Sequence, residues 1–276
     1  MSNVDKDVLG TILRDVRVLI EDQARRSRGK LLVSPEVAEM LDSICPPRAA
    51  DAPSAPAAQE YPDAAERLAA LGAIEDEVRA CTKCGLSRSR TKTVFGVGNP
   101  NAEIVFVGEA PGGEEDRQGM PFVGRAGQLL TDIIVKGMKR RREDVYICNV
   151  VKCRPPNNRD PQPEELAACA HFLERQIALI DPEVIVTLGR FSMVRYFHDA
   201  RISKVHGKAG WREGRLIVPM YHPAAALHQP ALRSVVEADF AKLPALIQFS
   251  ERKRQELEKK SVHPDDDQDI KQLPLF

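Results

Sequence analysis

Apolar residues recur along this chain in two different periods. Near the start they fall at helical spacing (Val8, Leu9, Ile12, Leu13, Val16, Leu19), which predicts a small helical appendage over residues 1–45. Large apolar residues then all but vanish while Pro46, Pro47, Pro53, Pro56 and Pro62 accumulate, the composition of a semi-rigid linker over 46–62. A helix is expected at 63–79. Beyond it, short β-branched runs alternate with helical stretches. The runs are Ile104-Val105-Phe106-Val107, Val145-Tyr146-Ile147, Val184-Ile185-Val186-Thr187-Leu188 and Leu216-Ile217-Val218-Pro219-Met220. Helices are expected at 126–138, 163–179, 191–197 and 232–249. Strands alternating with helices imply βαβ units. The predicted body, residues 63–249, is therefore α/β, a three-layer α/β/α arrangement around a mainly parallel four-stranded sheet. From residue 250 to 276 the chain reads as a charged tail, a frayed helix followed by Pro264-Asp265-Asp266-Asp267 and an apolar end.

Composition narrows the function classes without choosing one. With 276 residues and 43% hydrophobic content the chain can bury a sizeable core. No apolar run reaches membrane-spanning length, and Met1-Ser2-Asn3-Val4-Asp5 lacks a basic-then-apolar leader, so a cytoplasmic, non-membrane protein is expected. Forty basic residues balance forty acidic ones. That argues against coating nucleic acid by bulk charge and leaves only local patches, such as those at 25–30 and 139–142.

Candidate chemistry begins at Gly108-Glu109-Ala110-Pro111-Gly112, which follows the first predicted strand and leads towards Phe122-Val123-Gly124-Arg125 and a helix. Loops of this kind, at the carboxyl ends of parallel strands, admit planar or anionic ligands because small residues and backbone amides allow close approach. A glycine-rich turn without ligand is the plain alternative. Cys81-Thr82-Lys83-Cys84 forms a C-x-x-C knuckle, and Cys153 and Cys169 add two thiols. Four thiolates suit tetrahedral zinc or an iron–sulfur cluster, and spacing does not choose between them. Cys148 is close enough to Cys153 to substitute for it on paper, although a small residue at a strand end is ordinarily structural.

Taken in order, Gly108-Glu109-Ala110-Pro111-Gly112, Pro121-Phe122-Val123-Gly124-Arg125-Ala126-Gly127, Asn149-Val150-Val151-Lys152-Cys153-Arg154-Pro155-Pro156 and Tyr221-His222-Pro223 resemble the iron–sulfur, family 4 uracil-DNA glycosylases over roughly residues 73–249. The resemblance implies hydrolysis of the N-glycosidic bond of deoxyuridine in single- or double-stranded DNA by a monomeric enzyme. It implies a 4Fe–4S cluster on Cys81, Cys84, Cys153 and Cys169. Gly108 and Ala110 would line the uracil pocket, Phe122 would stack on the base, and Asn149 would read its Watson–Crick edge. His222 would donate to uracil O2 as negative charge develops. Glu109 and Glu115 would be the carboxylates that act on water near the sugar; family 1 relatives carry an aspartate where this chain has Ala110. Each residue also has a bland reading: Phe122 as core, Asn149 as a turn cap, His222 as ordinary surface and Glu115 as part of a solvated helix start. Ala226 and Leu227, after His222, would hold open the gap left by an extruded base. Arg88, Arg90, Lys92, Lys152, Arg154 and Arg159 are expected to contact phosphates.

The terminal Gln272-Leu273-Pro274-Leu275-Phe276 resembles the peptide by which bacterial repair proteins bind the sliding clamp, with Gln272, Leu273, Leu275 and Phe276 as anchors. Two other functions remain open on sequence. One is a relative that forms a covalent adduct with abasic DNA, whose histidine-containing insertion has no counterpart in Arg154-Pro155-Pro156-Asn157-Asn158-Arg159. The other is a non-catalytic, clamp-tethered DNA-binding module with a metal or cluster.

Overall fold

The structure is a computed structural model and describes residues 64–212 and 214–262. The expected appendage, the proline-rich linker and the terminal peptide with Gln272, Leu273, Leu275 and Phe276 lie outside those residues.

The first described element is helix α1 (Ala64–Ala80), whose Leu71, Ile74 and Val78 form one buried stripe. Strand β1 (Val97–Gly98) is followed by β2 (Ile104–Gly108), a short helix α2 (Gly113–Gln118), α3 (Arg125–Met138) and β3 (Tyr146–Asn149). Helix α4 (Pro163–Ile180) leads to β4 (Val184–Leu188), α5 (Arg190–Met193) and α6 (Ile202–Val205). The antiparallel pair β5 (Gly210–Arg212) and β6 (Arg215–Met220) comes next, then α7 (Pro223–His228), α8 (Ala231–Phe240) and α9 (Leu243–Val262).

The sheet has six strands in the order β1-β3-β2-β4-β6-β5, not four. Its four central strands are those expected from the apolar runs, and all three pairs among them are parallel. The additions are antiparallel edges of two and three residues, too short to carry a period. The expected helix at 232–249 is two helices, α8 and α9, and the second continues to Val262 through residues expected to fray.

Alternation along the strands sorts side chains to two faces. Val105, Val107, Tyr146, Cys148, Ile185 and Ile217 join one core with α1 and α4. Ile104, Phe106, Ile147, Val186 and Val218 join the other with α3, α8 and α9. Every residue of β2, β3 and β4 is buried, as parallel strands covered on both sides require. Arg67 ties α1 to the end of α4 by donating to the carbonyls of Leu179 and Ile180, each at 3.0 Å. The chain passes from β2 to β3 on one side and then crosses to β4 on the other. The carboxyl ends of β2 and its neighbours therefore open at a switch point, where α/β sheets hold ligands.

Candidate active site and thiol cavity

Register places the first site residues side by side. Gly108 ends β2 directly opposite Asn149, which ends β3. The chain after β6 brings in His222, the residue capping α7. A cleft of about 500 Å³ opens there, and its lining includes Glu109, Ala110, Glu115, Phe122, Asn149 and His222. Five of these six residues come from four separate sequence motifs, Glu115 lies between the first two, and the fold gathers all six into one cleft.

Two glycines make that crowding sterically possible. A Cβ on Gly108 would lie 2.3 Å from Asn149 Oδ1 and 2.6 Å from Phe122 Cζ. One on Gly127 would lie 1.8 Å from the Phe122 carbonyl oxygen. Phe122 itself has φ +51°, the left-handed region that costs a non-glycine residue about 1–2 kcal/mol. Its ring lies 5.5 Å from that of His222, centroid to centroid, with 28° between planes.

Asn149 is 1% exposed, and its Oδ1 has no hydrogen-bond partner among the described residues. A buried acceptor left empty costs about 1–3 kcal/mol, so the site offers an acceptor to an incoming donor. His222 Nδ1 accepts from the backbone N–H of Ala224 at 3.1 Å, which leaves the proton of a neutral imidazole on Nε2. Burial pushes His222 down to about 4, against the opposing pull of the Glu115 charge. The ring is thus neutral at physiological pH. Glu109 moves the other way: burial, and next the Asp160 charge, raise it to about 6, while Arg190 opposes the rise.

Glu115 lines the same cleft but is otherwise engaged. One of its oxygens accepts from the N–H groups of Val123 and Gly124, both at 2.9 Å, and the other from Gly112 at 3.2 Å. Its carboxylate ties the two loops of the site together. Ala226 departs from its sequence expectation. It is 5% exposed on the inward side of α7 and packed in the core, so it is not free to enter a base stack. Leu227 is half-buried against the same core, and His228, exposed at the mouth of the cleft, is the outward residue.

The expected phosphate contacts divide. Arg88 and Lys92 are exposed. Lys152 is 1% exposed, and its Nζ donates to the Asn149 carbonyl at 2.8 Å and to Gln176 Oε1 at 2.5 Å, so it has no access to DNA. Arg90 donates to Cys153 Sγ at 3.2 Å and to the Arg79 carbonyl at 3.2 Å. Arg159 forms a two-pronged pair with Glu165, at 2.9 and 2.7 Å. Arg154 donates to Asn158 Oδ1 at 2.8 Å at the rim. Sequence reasoning missed the inward role of Lys152, because nothing in a run of residue types marks which lysine turns into the core.

Cys81, Cys84, Cys153 and Cys169 all line a second, small cavity beside Val78 and Phe172. The first two flank the turn that follows α1, the third follows β3, and the fourth projects from α4. Burial raises the Cys153 thiol and lifts Cys169 to about 11. Two N–H groups point at these sulfurs, the Arg90 guanidinium at Cys153 and the Lys152 backbone at Cys169, the latter at 3.3 Å. Cys148 lies in β3 within the core and is not among the residues lining the cavity.

This combination of a switch-point cleft with an aromatic platform, an empty amide acceptor and a neutral histidine defines a class. The family model described as "Uracil DNA glycosylase superfamily" matches residues 95–243, and the chain belongs to that superfamily. Within it the chain falls among the type-4 enzymes. It is 51% identical over 185 residues to the type-4 uracil-DNA glycosylase of Sulfurisphaera tokodaii, an alignment covering 64% of this chain and 84% of the relative. Against the type-4 enzyme of Archaeoglobus fulgidus it is 49% identical over 188 residues, 65% of this chain and 94% of that one. For the type-4 enzyme of Saccharolobus solfataricus the figures are 50% over 184 residues, 63% and 84%.

Proposed function

We infer that this protein is a monofunctional uracil-DNA glycosylase that hydrolyses the N-glycosidic bond of deoxyuridine in DNA and leaves an abasic site. The observation that carries the reading is the buried, unpartnered Oδ1 of Asn149 beside the Phe122 ring. Uracil presents an N3–H donor and an O4 acceptor on one edge, and an amide supplies the reverse pair. Cytosine presents the opposite pattern at these positions and would leave the buried acceptor facing another acceptor.

Bond breakage leaves negative charge on the uracil ring. His222, held neutral with Nε2–H free by its Nδ1 bond to Ala224, donates to O2 where that charge develops. Phe122 stacks on the extruded ring, which must leave the duplex to be reached. Glu109, with a carboxyl near 6, is ionised at neutral pH and is the carboxylate free to orient and deprotonate water. Glu115, committed to three backbone N–H groups, keeps the walls of the pocket in register.

Cys81, Cys84, Cys153 and Cys169 would hold a 4Fe–4S cluster. One feature of the donor set supports this: all four are soft sulfur donors around one cavity. When bound, the cluster supplies cross-linking of three chain segments. The loop carrying Asn149 then leads straight into a fixed Cys153. We further propose that Gln272, Leu273, Leu275 and Phe276 engage a sliding clamp and that the enzyme is monomeric and cytoplasmic. Among the described residues no helix is long and apolar enough to cross a membrane.

Single-turnover incubation with labelled oligonucleotides bearing one uracil, single-stranded or opposite guanine or adenine, tests the reading. Strand breakage after alkali only at uracil is expected. No breakage by iron-loaded protein would overturn it, and a denaturant-resistant shifted band would identify covalent adduct formation instead.

A further inference from the structure

In the basic run Lys139-Arg140-Arg141-Arg142 the three arginines are engaged within the protein. Arg140 pairs with Glu103 at 2.7 Å and Arg141 with Asp144 at 2.6 Å. Arg142 turns inward: one guanidinium nitrogen donates to the Pro121 carbonyl at 2.8 Å and another to Thr131 Oγ1 at 2.9 Å. Thr131 in turn donates to the Gly127 carbonyl at 2.9 Å. Gly127 is the residue whose missing side chain makes room for the Phe122 backbone.

We propose that Arg142 is a positioning residue for uracil excision, fixing the strained Phe122 platform from its amino-terminal side. Glu115 grips the chain immediately after Phe122, through Val123 and Gly124, and Arg142 grips it immediately before, through Pro121. A left-handed, non-glycine residue persists only when its surroundings over-determine it. Here a carboxylate and a guanidinium do so by holding the residues that flank Phe122 in sequence. Loss of the Arg142 hold frees Phe122 to relax, which moves the ring under the base. Contacts to the DNA backbone are untouched, so the cost falls on turnover and on recognition of the base itself.

This rests on the glycosylase reading, and the test separates the two. Wild type, Arg142→Lys and Arg142→Met are compared in single-turnover excision, in apparent affinity for uracil-containing duplex, and in inhibition by free uracil. Expected for Arg142→Met is a rate lowered about tenfold or more and a weaker inhibition by free uracil. Duplex affinity and iron content should stay unchanged, the melting temperature should fall because the Pro121 carbonyl loses its donor, and Arg142→Lys should restore part of the losses in rate and uracil inhibition. A wild-type rate and uracil inhibition in Arg142→Met would overturn the inference, as would a loss confined to duplex affinity. If Arg142→Met does not fold, Thr131→Val, which removes the second anchor of the guanidinium, should shift rate and uracil inhibition in the same direction; no shift would overturn it. An inactive wild type would instead overturn the glycosylase reading.

Discussion

At the scale of the residue, the site depends on two titrating groups displaced in opposite directions by the same cause. Burial disfavours charge, so it raises Glu109 to about 6 and lowers His222 to about 4. The excision rate should therefore rise with pH around a midpoint near 6, with no second acid inflection above pH 5. Glu109→Gln should abolish that rise together with most of the rate. The stability effect has a definite sign. A carboxyl raised above its ordinary 4.5 contributes stability at pH values below 4.5 and loses it as pH climbs through 6. Glu109→Gln should consequently raise the melting temperature at pH 7.5 and leave it unchanged at pH 4. Thermal melts at the two pH values check this, and an unchanged melt at both would show that the carboxylate is better solvated than its surroundings imply. His222 acts in the other sense: with its folded value below the usual 6.5, stability falls as pH drops from 6.5 towards 4.

At the scale of the element, the pocket is built from strand ends and the first turns of helices. Gly127 sits in the first turn of α3, and its Cβ would collide with the Phe122 carbonyl at 1.8 Å. Gly127→Ala should thus cost about 1–3 kcal/mol of stability and lower the excision rate with it, measured by denaturant unfolding alongside turnover. Leu129, Leu130, Ile133, Ile134 and Met138 form the buried face of α3, and the helix itself was readable from its apolar spacing alone. So were the four central strands, because continuous β-branched runs have few other uses in a parallel sheet. The edges β1 and β5 were not, since they exist only by pairing with β3 and β6. Ala226 shows the same limit: the sequence places it after His222, but only the turn of α7 buries it.

At the scale of the whole molecule, the thiol cavity joins parts of the chain that the sheet leaves apart: the end of α1, the loop after β3 and the middle of α4. Cys153→Ser should lose the visible absorption of the proposed cluster. It should also lower the melting temperature and slow excision through the neighbouring Asn149, as read by absorption spectra, melts and single-turnover rates on one preparation. Retention of all three would remove Cys153 from the ligand set. A different link reaches the far end of the chain. Removal of residues 272–276 should leave excision on short oligonucleotides intact and abolish capture by the sliding clamp in pull-down; unchanged capture would sink that proposal.

The sequence by itself determined the strand and helix alternation and the order of the motifs that carry Phe122, Asn149 and His222, because each depends on residue type and local spacing. Tertiary structure alone decided which charged groups reach solvent. Lys152 and Arg142 read as surface cations in a string of letters, yet one is enclosed between Asn149 and Gln176 and the other turns to the Pro121 carbonyl. It likewise separated the surroundings of Glu109 and Glu115, six residues apart. Whether a carboxylate is raised by burial or committed to backbone N–H groups depends on what other segments bring to it, and no local pattern records that.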